Sequence, residues 1–246
     1  MTDATEIVVV ADLPALADEA AARVQRIVLA TPAREKATIA LAGGGPPKAA
    51  YQQLAGRCPP WGRVELFFGD ERCVPPDAEG SNYGMAREAL LDRIPLRPSQ
   101  VHRVLGELTP EEIAQRLEED LRASVPGSPF PAFDLMLLGM GPDGHTASLF
   151  PGDPLIGDRE HFVAPVHYEK VVPHDRVSLL PGVLLAARNT LFLVSGEDKA
   201  EAVDAVFNGP DEPATHPAQF ITRNGRRVTW FLDDPAARLL PQTSDR

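Results

Sequence analysis

Three observations predict an α/β fold with a parallel or mostly parallel sheet and helices on both faces. Apolar, β-rich runs alternate with amphipathic helical patterns along most of the chain. Two of those runs, "VELFFGD" and "FDLMLLG", are continuously apolar, as strands covered on both faces are. Glycine-rich turns follow several runs at the positions where such sheets bind ligands. In order, "TEIVVVA" reads as a strand, and "DLPALADEAAARVQRIVLA" as a helix with Asp12 as N-cap and Leu13, Leu16, Ala20, Val24, Ile27 and Val28 on one face. "ATIALA" is the next strand, followed by glycines and the proline-opened helix "PPKAAYQQLA". Between "VELFFGD" and "FDLMLLG" come a helix "NYGMAREALLDRI", a short strand "VHRV" and the helix of "TPEEIAQRLEEDLRAS". There Thr109, Pro110 and Glu112 fit a capping box with proline at the first helical position. "TLFLVSG" leads into the helix "EDKAEAVDAVFNG", and "RRVTWFL" into "DDPAARLL". The 25 prolines sit at element boundaries and form no linker, and no repeat or low-complexity tract is present, so residues 1–246 read as one domain.

Composition excludes several functions. A formal charge of −11 argues against a nucleic-acid partner, because phosphate backbones are gripped by clustered Lys and Arg. No stretch approaches the about 18 apolar residues that a membrane span needs. The start "MTDATEIVVVADL" lacks a basic flank before its short apolar run, and Cys58 and Cys73 form neither a C-x-x-C pair nor a disulfide framework. The expectation is a cytoplasmic protein with reduced thiols that serve packing. The oligomeric state is left open.

Ligands in such sheets bind beyond the carboxyl ends of the strands. Four stretches meet that condition: "AGGGPPK" at 42–48, "GDER" at 69–72, "GMGPDGH" at 139–145 and "SGEDK" at 195–199, with "PHDR" at 173–176 in a loop able to reach the same edge. Together they supply Arg72, Arg176 and Lys199 as cations, Asp70, Glu71 and Asp143 as acids, and His145 as a titratable base. That mixture suits a small anionic substrate undergoing proton transfer. Gly43, Gly44 and Gly45, before a helix N-terminus, form either an anion seat or a turn needing positive φ. A Walker loop is excluded, since G-x-x-x-x-G-K-[ST] is absent and Pro46 and Pro47 each remove an N–H.

Gly139, Gly141 and Gly144 spell G-x-G-x-x-G between a strand and an expected helix near Thr146. Asp143 argues against a dinucleotide there, because its carboxylate would sit where the pyrophosphate must go. With His145 it makes an acid–imidazole pair, and an unperturbed imidazole pKa of about 6.5 suits a general base near neutrality. The alternatives are that Asp143 caps the helix or that His145 is buried and satisfied by backbone. Position at the sheet's ligand edge favours the reaction centre.

The runs "GDERCVP", "SNYGMAREALL", "FDLMLLGMGPDGHTASLFPG" and "PHDRVSLLPGVLLAARNTLFLVSGEDKAEAV" resemble the 6-phosphogluconolactonase family over nearly the whole chain, the run DGHTASLFPG most specifically. The resemblance implies a Rossmann-like three-layer α/β/α fold that hydrolyses a small phosphorylated sugar lactone without metal or redox cofactor. It implies that His145 takes a proton from water, that Asp143 orients the imidazole, and that Arg72 contacts the carbonyl oxygen or the phosphate. Arg176 and Lys199 then clamp phosphate with the loop of Gly43, Gly44 and Gly45. Asp70 and Glu71 order Arg72, and Asn82 fixes its loop or touches sugar. One departure is visible: the family's S-G-G-S-T-P loop is here Ala42, Gly43, Gly44, Gly45, Pro46, Pro47, which lacks that loop's three hydroxyls and one further N–H. His102, His161, His167, His174 and His216 have no comparable setting.

Zinc hydrolysis is disfavoured by the lack of H-E-x-x-H or a Cys/His cluster, and a serine hydrolase by the lack of G-x-S-x-G around Ser148 or Ser195. Two other readings stand beside lactone hydrolysis: a glucosamine-6-phosphate deaminase-like isomerase using Asp70 or Glu71 as base, and a non-catalytic sugar-phosphate binder.

Overall fold

The structure is a computed structural model that describes residues 5–32, 35–57 and 59–241. β1 (Glu6–Val10) leads into α1 (Leu13–Ala30), where the Asp12 carboxylate accepts the Ala15 N–H, as the sequence predicts for the N-cap. Its buried face is Leu16, Ala17, Ala20, Ala21, Val24 and Val28; Leu13 and Ile27 are only partly covered. β2 (Ala37–Leu41), α2 (Gly45–Ala55), β3 (Val64–Phe68), β4 (Asp70–Arg72) and α3 (Asn82–Ala89) follow. α4 (Pro110–Ser124) carries the expected capping box between Thr109 and Glu112. Next are β5 (Leu135–Leu138), β6 (Val163–His167), β7 (Asp175–Leu179), α5 (Pro181–Ala186), β8 (Thr190–Val194), α6 (Ala200–Asn208), α7 (Pro217–Asn224), β9 (Val228–Asp233) and α8 (Asp234–Ala237).

The main sheet is wholly parallel, in the order β1-β9-β8-β5-β2-β3. α1 packs on α2 and α2 on α3, while α6 contacts α7 and α8 in a separate helical group, which gives the three-layer α/β/α arrangement. From β2 the chain steps outward to β3, and from β5 in the opposite direction to β8 and β9. The switch point between β2 and β5 is where such sheets open a crevice. The turns that end β8, β5, β2 and β3 therefore lie side by side, about 5 Å apart per strand.

A second sheet, antiparallel in the order β4-β7-β6, is absent from the sequence reading. Gly69 is the junction: its N–H donates to Leu41 O beside the main sheet and its carbonyl accepts from Leu179 N–H beside the small one. "GDER" thus leaves the parallel sheet at Gly69, and "PHDR" is not a loop, since Asp175 and Arg176 begin β7.

Other expectations need correction. "VHRV" forms a single bridge, Val101 to Leu66, because the Val101 N–H returns to Pro98 O and leaves one rung for β3. The helix of 82–94 stops at Ala89 before a 3₁₀ turn, and the one expected from Glu197 starts at Ala200 after another. No helix begins near Thr146: Thr146 bridges to Leu149, so the G-x-G-x-x-G reading lacks the helix it requires, and Asp143 caps none. Cys58 lies outside the described residues; Cys73 is a free thiol whose pKa burial, followed by nearby carboxylates, pushes up to about 11. Among the described residues no helix is long and apolar enough to cross a membrane.

Candidate active site

Every candidate residue except Asp143 and Glu71 lines one cleft of about 270 Å³ at the carboxyl ends of the strands: His145, Arg72, Gly43, Gly44, Gly45, Asp70, Asn82, Arg176 and Lys199. Asp143 stands directly behind, its Oδ1 2.6 Å from His145 Nδ1 and 3.1 Å from the His145 backbone N–H that it accepts. Burial works against that carboxylate's charge, yet these hydrogen bonds and the imidazole's charge outweigh it and hold Asp143 below the ordinary value. An ionised Asp143 places the ring proton on Nδ1, leaving Nε2 as an acceptor. Gly141 makes room for the pair, since a methyl there would fall 2.1 Å from His145 Nδ1 and 2.6 Å from Asp143 Oδ1. The turn is closed by Gly141 N–H on His145 O, Gly144 N–H on Gly141 O and the Thr146 hydroxyl on Gly139 O.

The opposite wall comes from the small sheet. Arg72 and Arg176 face each other in the β4–β7 register, an arrangement that is repulsive unless an anion lies between them. Neither makes an ion pair among the described residues. Arg72 Nη1 donates to Gly80 O at 2.5 Å and to Asn82 Oδ1 at 2.6 Å, while its Nε is buried without a partner. Arg176 is 6% exposed, and burial first, then the charge of Arg72, lowers its pKa. Two guanidiniums without carboxylate partners among the described residues, one buried and one half-buried, form a ready site for phosphate or an oxyanion.

Asn82 is clamped rather than free: Nδ2 donates to Asp70 O and Oδ1, and a methyl on Gly43 would meet its Oδ1 at 1.9 Å. Gly43 is thus required for packing, whatever else it does. Asp70, buried, accepts the Ser148 hydroxyl at 2.6 Å. Glu71 accepts N–H groups from Arg72, Asn82 and Tyr83, so it orders the start of α3 and the backbone of Arg72. Burial raises its pKa, with these bonds acting in the opposite direction. Lys199 Nζ lies 2.9 Å from the neighbouring Asp198 carboxylate. Gly44 sits at φ +101° before α2, whose first three residues, Gly45, Pro46 and Pro47, offer one N–H between them. The α2 terminus is therefore a poorer donor set for an anion than the two arginines are.

Sequence reasoning missed two residues. The Phe150 ring lies 4.6 Å from the His145 ring and 5.6 Å from the Arg176 guanidinium carbon, so one side chain sets both sides of the cleft. Asp233 holds the turn after β8 by accepting the Ser195 hydroxyl and the Gly196 N–H. Phe150 was within view in "DGHTASLFPG"; nothing local marks Asp233, whose role depends on β9 lying beside β8.

Residues 11–230 match the family model described as glucosamine-6-phosphate isomerases/6-phosphogluconolactonase. The human 6-phosphogluconolactonase is 40% identical over 85% of this chain and 82% of its own length, and that of Streptomyces coelicolor 37% identical over 99% and 97%. The solved structure of 6-phosphogluconolactonase from Trypanosoma brucei superposes with a TM-score of 0.87 at 30% identity, covering 98% of this chain and 100% of that one. A monomeric glucosamine-6-phosphate deaminase, at 23% identity and a TM-score of 0.81, shares the fold alone. With the model spanning most of its length and relatives this similar, the chain belongs to the glucosamine-6-phosphate isomerase/6-phosphogluconolactonase family.

Proposed function

We propose that this protein hydrolyses 6-phospho-D-glucono-1,5-lactone to 6-phospho-D-gluconate, a step of the oxidative pentose phosphate pathway, acting as a cytoplasmic enzyme on this phosphorylated sugar lactone. The observation that carries the reading is the convergence, in one cleft, of an imidazole oriented by Asp143 with two guanidiniums that have no carboxylate partner among the described residues. His145 Nε2 accepts a proton from water as the water oxygen bonds to the lactone carbonyl carbon, and the imidazolium is stabilised by Asp143. Collapse of the tetrahedral intermediate breaks the bond to the ring oxygen, which takes the proton back from His145 and leaves as the sugar hydroxyl. General-base action of this kind contributes about 10²–10⁴-fold.

Arg72 and Arg176 hold the phosphate or the developing oxyanion, with Lys199 as a further point charge. Asn82 and Glu71 keep Arg72 in place. Asp70 has its oxygens engaged by Asn82 and Ser148, so it shapes the cleft and is poorly placed to take a proton. Acid release in a pH-stat from freshly made phosphogluconolactone tests the proposal. Rapid acid release above the spontaneous rate is expected. Ammonia release from glucosamine 6-phosphate, or binding without either reaction, would contradict it.

A further inference from the structure

Gly144, between Asp143 and His145, is held from outside its own turn. Its carbonyl accepts the Ala218 N–H at 3.0 Å. Gly144 stands at φ +83°, and a methyl there would lie 2.9 Å from His216 Nδ1 and 3.4 Å from His216 Cβ, so the His216 side chain fills the space behind it. The His216 Nδ1 is buried and without a hydrogen-bond partner among the described residues. A buried orphan nitrogen is retained against a desolvation penalty, which calls for a reason. His216 does not line the cleft, so it has no route to the substrate.

The placement of His216 is itself strongly determined. It is the N-cap of α7, followed by Pro217, and its N–H donates to Glu212 O at 2.9 Å. Three residues on, the fully buried Gln219 accepts the Glu212 N–H at 2.8 Å and donates to Ala205 O at 3.1 Å and Pro210 O at 2.8 Å. Ala205 belongs to α6, the helix that starts directly after Lys199. One buried amide therefore ties the helix beyond Lys199 to the helix that backs the Asp143–His145 turn.

We propose that His216 is a positioning residue for the catalytic turn: its ring, packed behind Gly144, and the Ala218 N–H on the Gly144 carbonyl fix the turn that presents Asp143 and His145. The inference rests on His145 being the base. Small displacements of a reacting group reduce rate steeply while leaving binding intact. His216→Ala is expected to lower kcat on phosphogluconolactone by about tenfold with KM unchanged. His216→Phe, which restores a ring without the orphan nitrogen, is expected to recover most of that loss. His145→Ala, assayed alongside, reports on the base itself.

Wild-type kcat in His216→Ala while His145→Ala has lost its activity overturns the positioning role and leaves the base standing. A fall in His216→Ala that His216→Phe does not recover, or one that appears in KM, overturns it as well. Wild-type kcat in His145→Ala overturns the reading of the base and this inference with it. Should His216→Ala not fold, His216→Asn, a shorter planar side chain, takes its place with the same expectation of lowered kcat and unchanged KM.

Discussion

In the six-stranded sheet, β2, β3, β5, β8 and β9 are buried along their whole length, whereas in the small sheet β6 mixes buried with exposed positions and carries Pro165, and β7 is exposed at Asp175 and buried from Arg176 to Leu179. The parallel strands are a rigid apolar platform whose ends deliver glycine turns and the Asp143–His145 pair. The antiparallel sheet is short and polar, and it delivers the facing arginines. On the proposed function, the chemistry comes from the platform and most of the grip from the small sheet, two regions that meet at Gly69 and across the cleft, with Lys199 beyond β8 as the platform's own contribution to the grip. A change in one should alter turnover and a change in the other affinity.

The sharpest separation is expected for His145→Ala, which removes the base: kcat on phosphogluconolactone should fall by about 10²–10⁴-fold, equivalent to about 3–5 kcal/mol, with little change in melting temperature. In the platform, Leu191→Ala in β8, at a residue 1% exposed, should lower stability by about 2–5 kcal/mol in chemical unfolding, with kcat of the folded fraction unchanged. A large kcat loss in that variant would break the division between platform and site. Arg176→Ala should raise KM for the phosphorylated lactone by roughly 10–100-fold, as expected for losing charge-assisted hydrogen bonds, with a smaller effect on kcat. Glu71→Gln should destabilise by about 1–3 kcal/mol, because an amide cannot accept all the N–H groups that the carboxylate does. Lys199→Ala should have the smallest effect, a rise in KM of several-fold confined to the phosphorylated lactone, since Asp198 already neutralises part of its charge. Equal changes for an unphosphorylated lactone would remove Lys199 from the phosphate site.

The platform was legible in the sequence for a physical reason. Strands buried on both faces must be continuously apolar, and helices on them must show a buried stripe and caps, which "FDLMLLG", Asp12 and Thr109 display. The small sheet was not legible: β4 has three residues, and "DRVSL" mixes polar with apolar side chains because one of its buried positions is Arg176. Its strands are defined by partners distant in sequence, such as Asp70 opposite Ser178. The candidate residues that line the cleft were legible because strand ends and the DGH turn announce them. His216 and Asp233 were passed over because each acts through neighbours brought close only by folding.

The division between base and grip is tested most directly by titrating 6-phosphogluconate into the His145→Ala protein in a calorimeter. The account predicts binding at the wild-type Kd by a protein that no longer turns over lactone. Loss of that binding together with turnover would contradict it, because the imidazole would then be part of the grip.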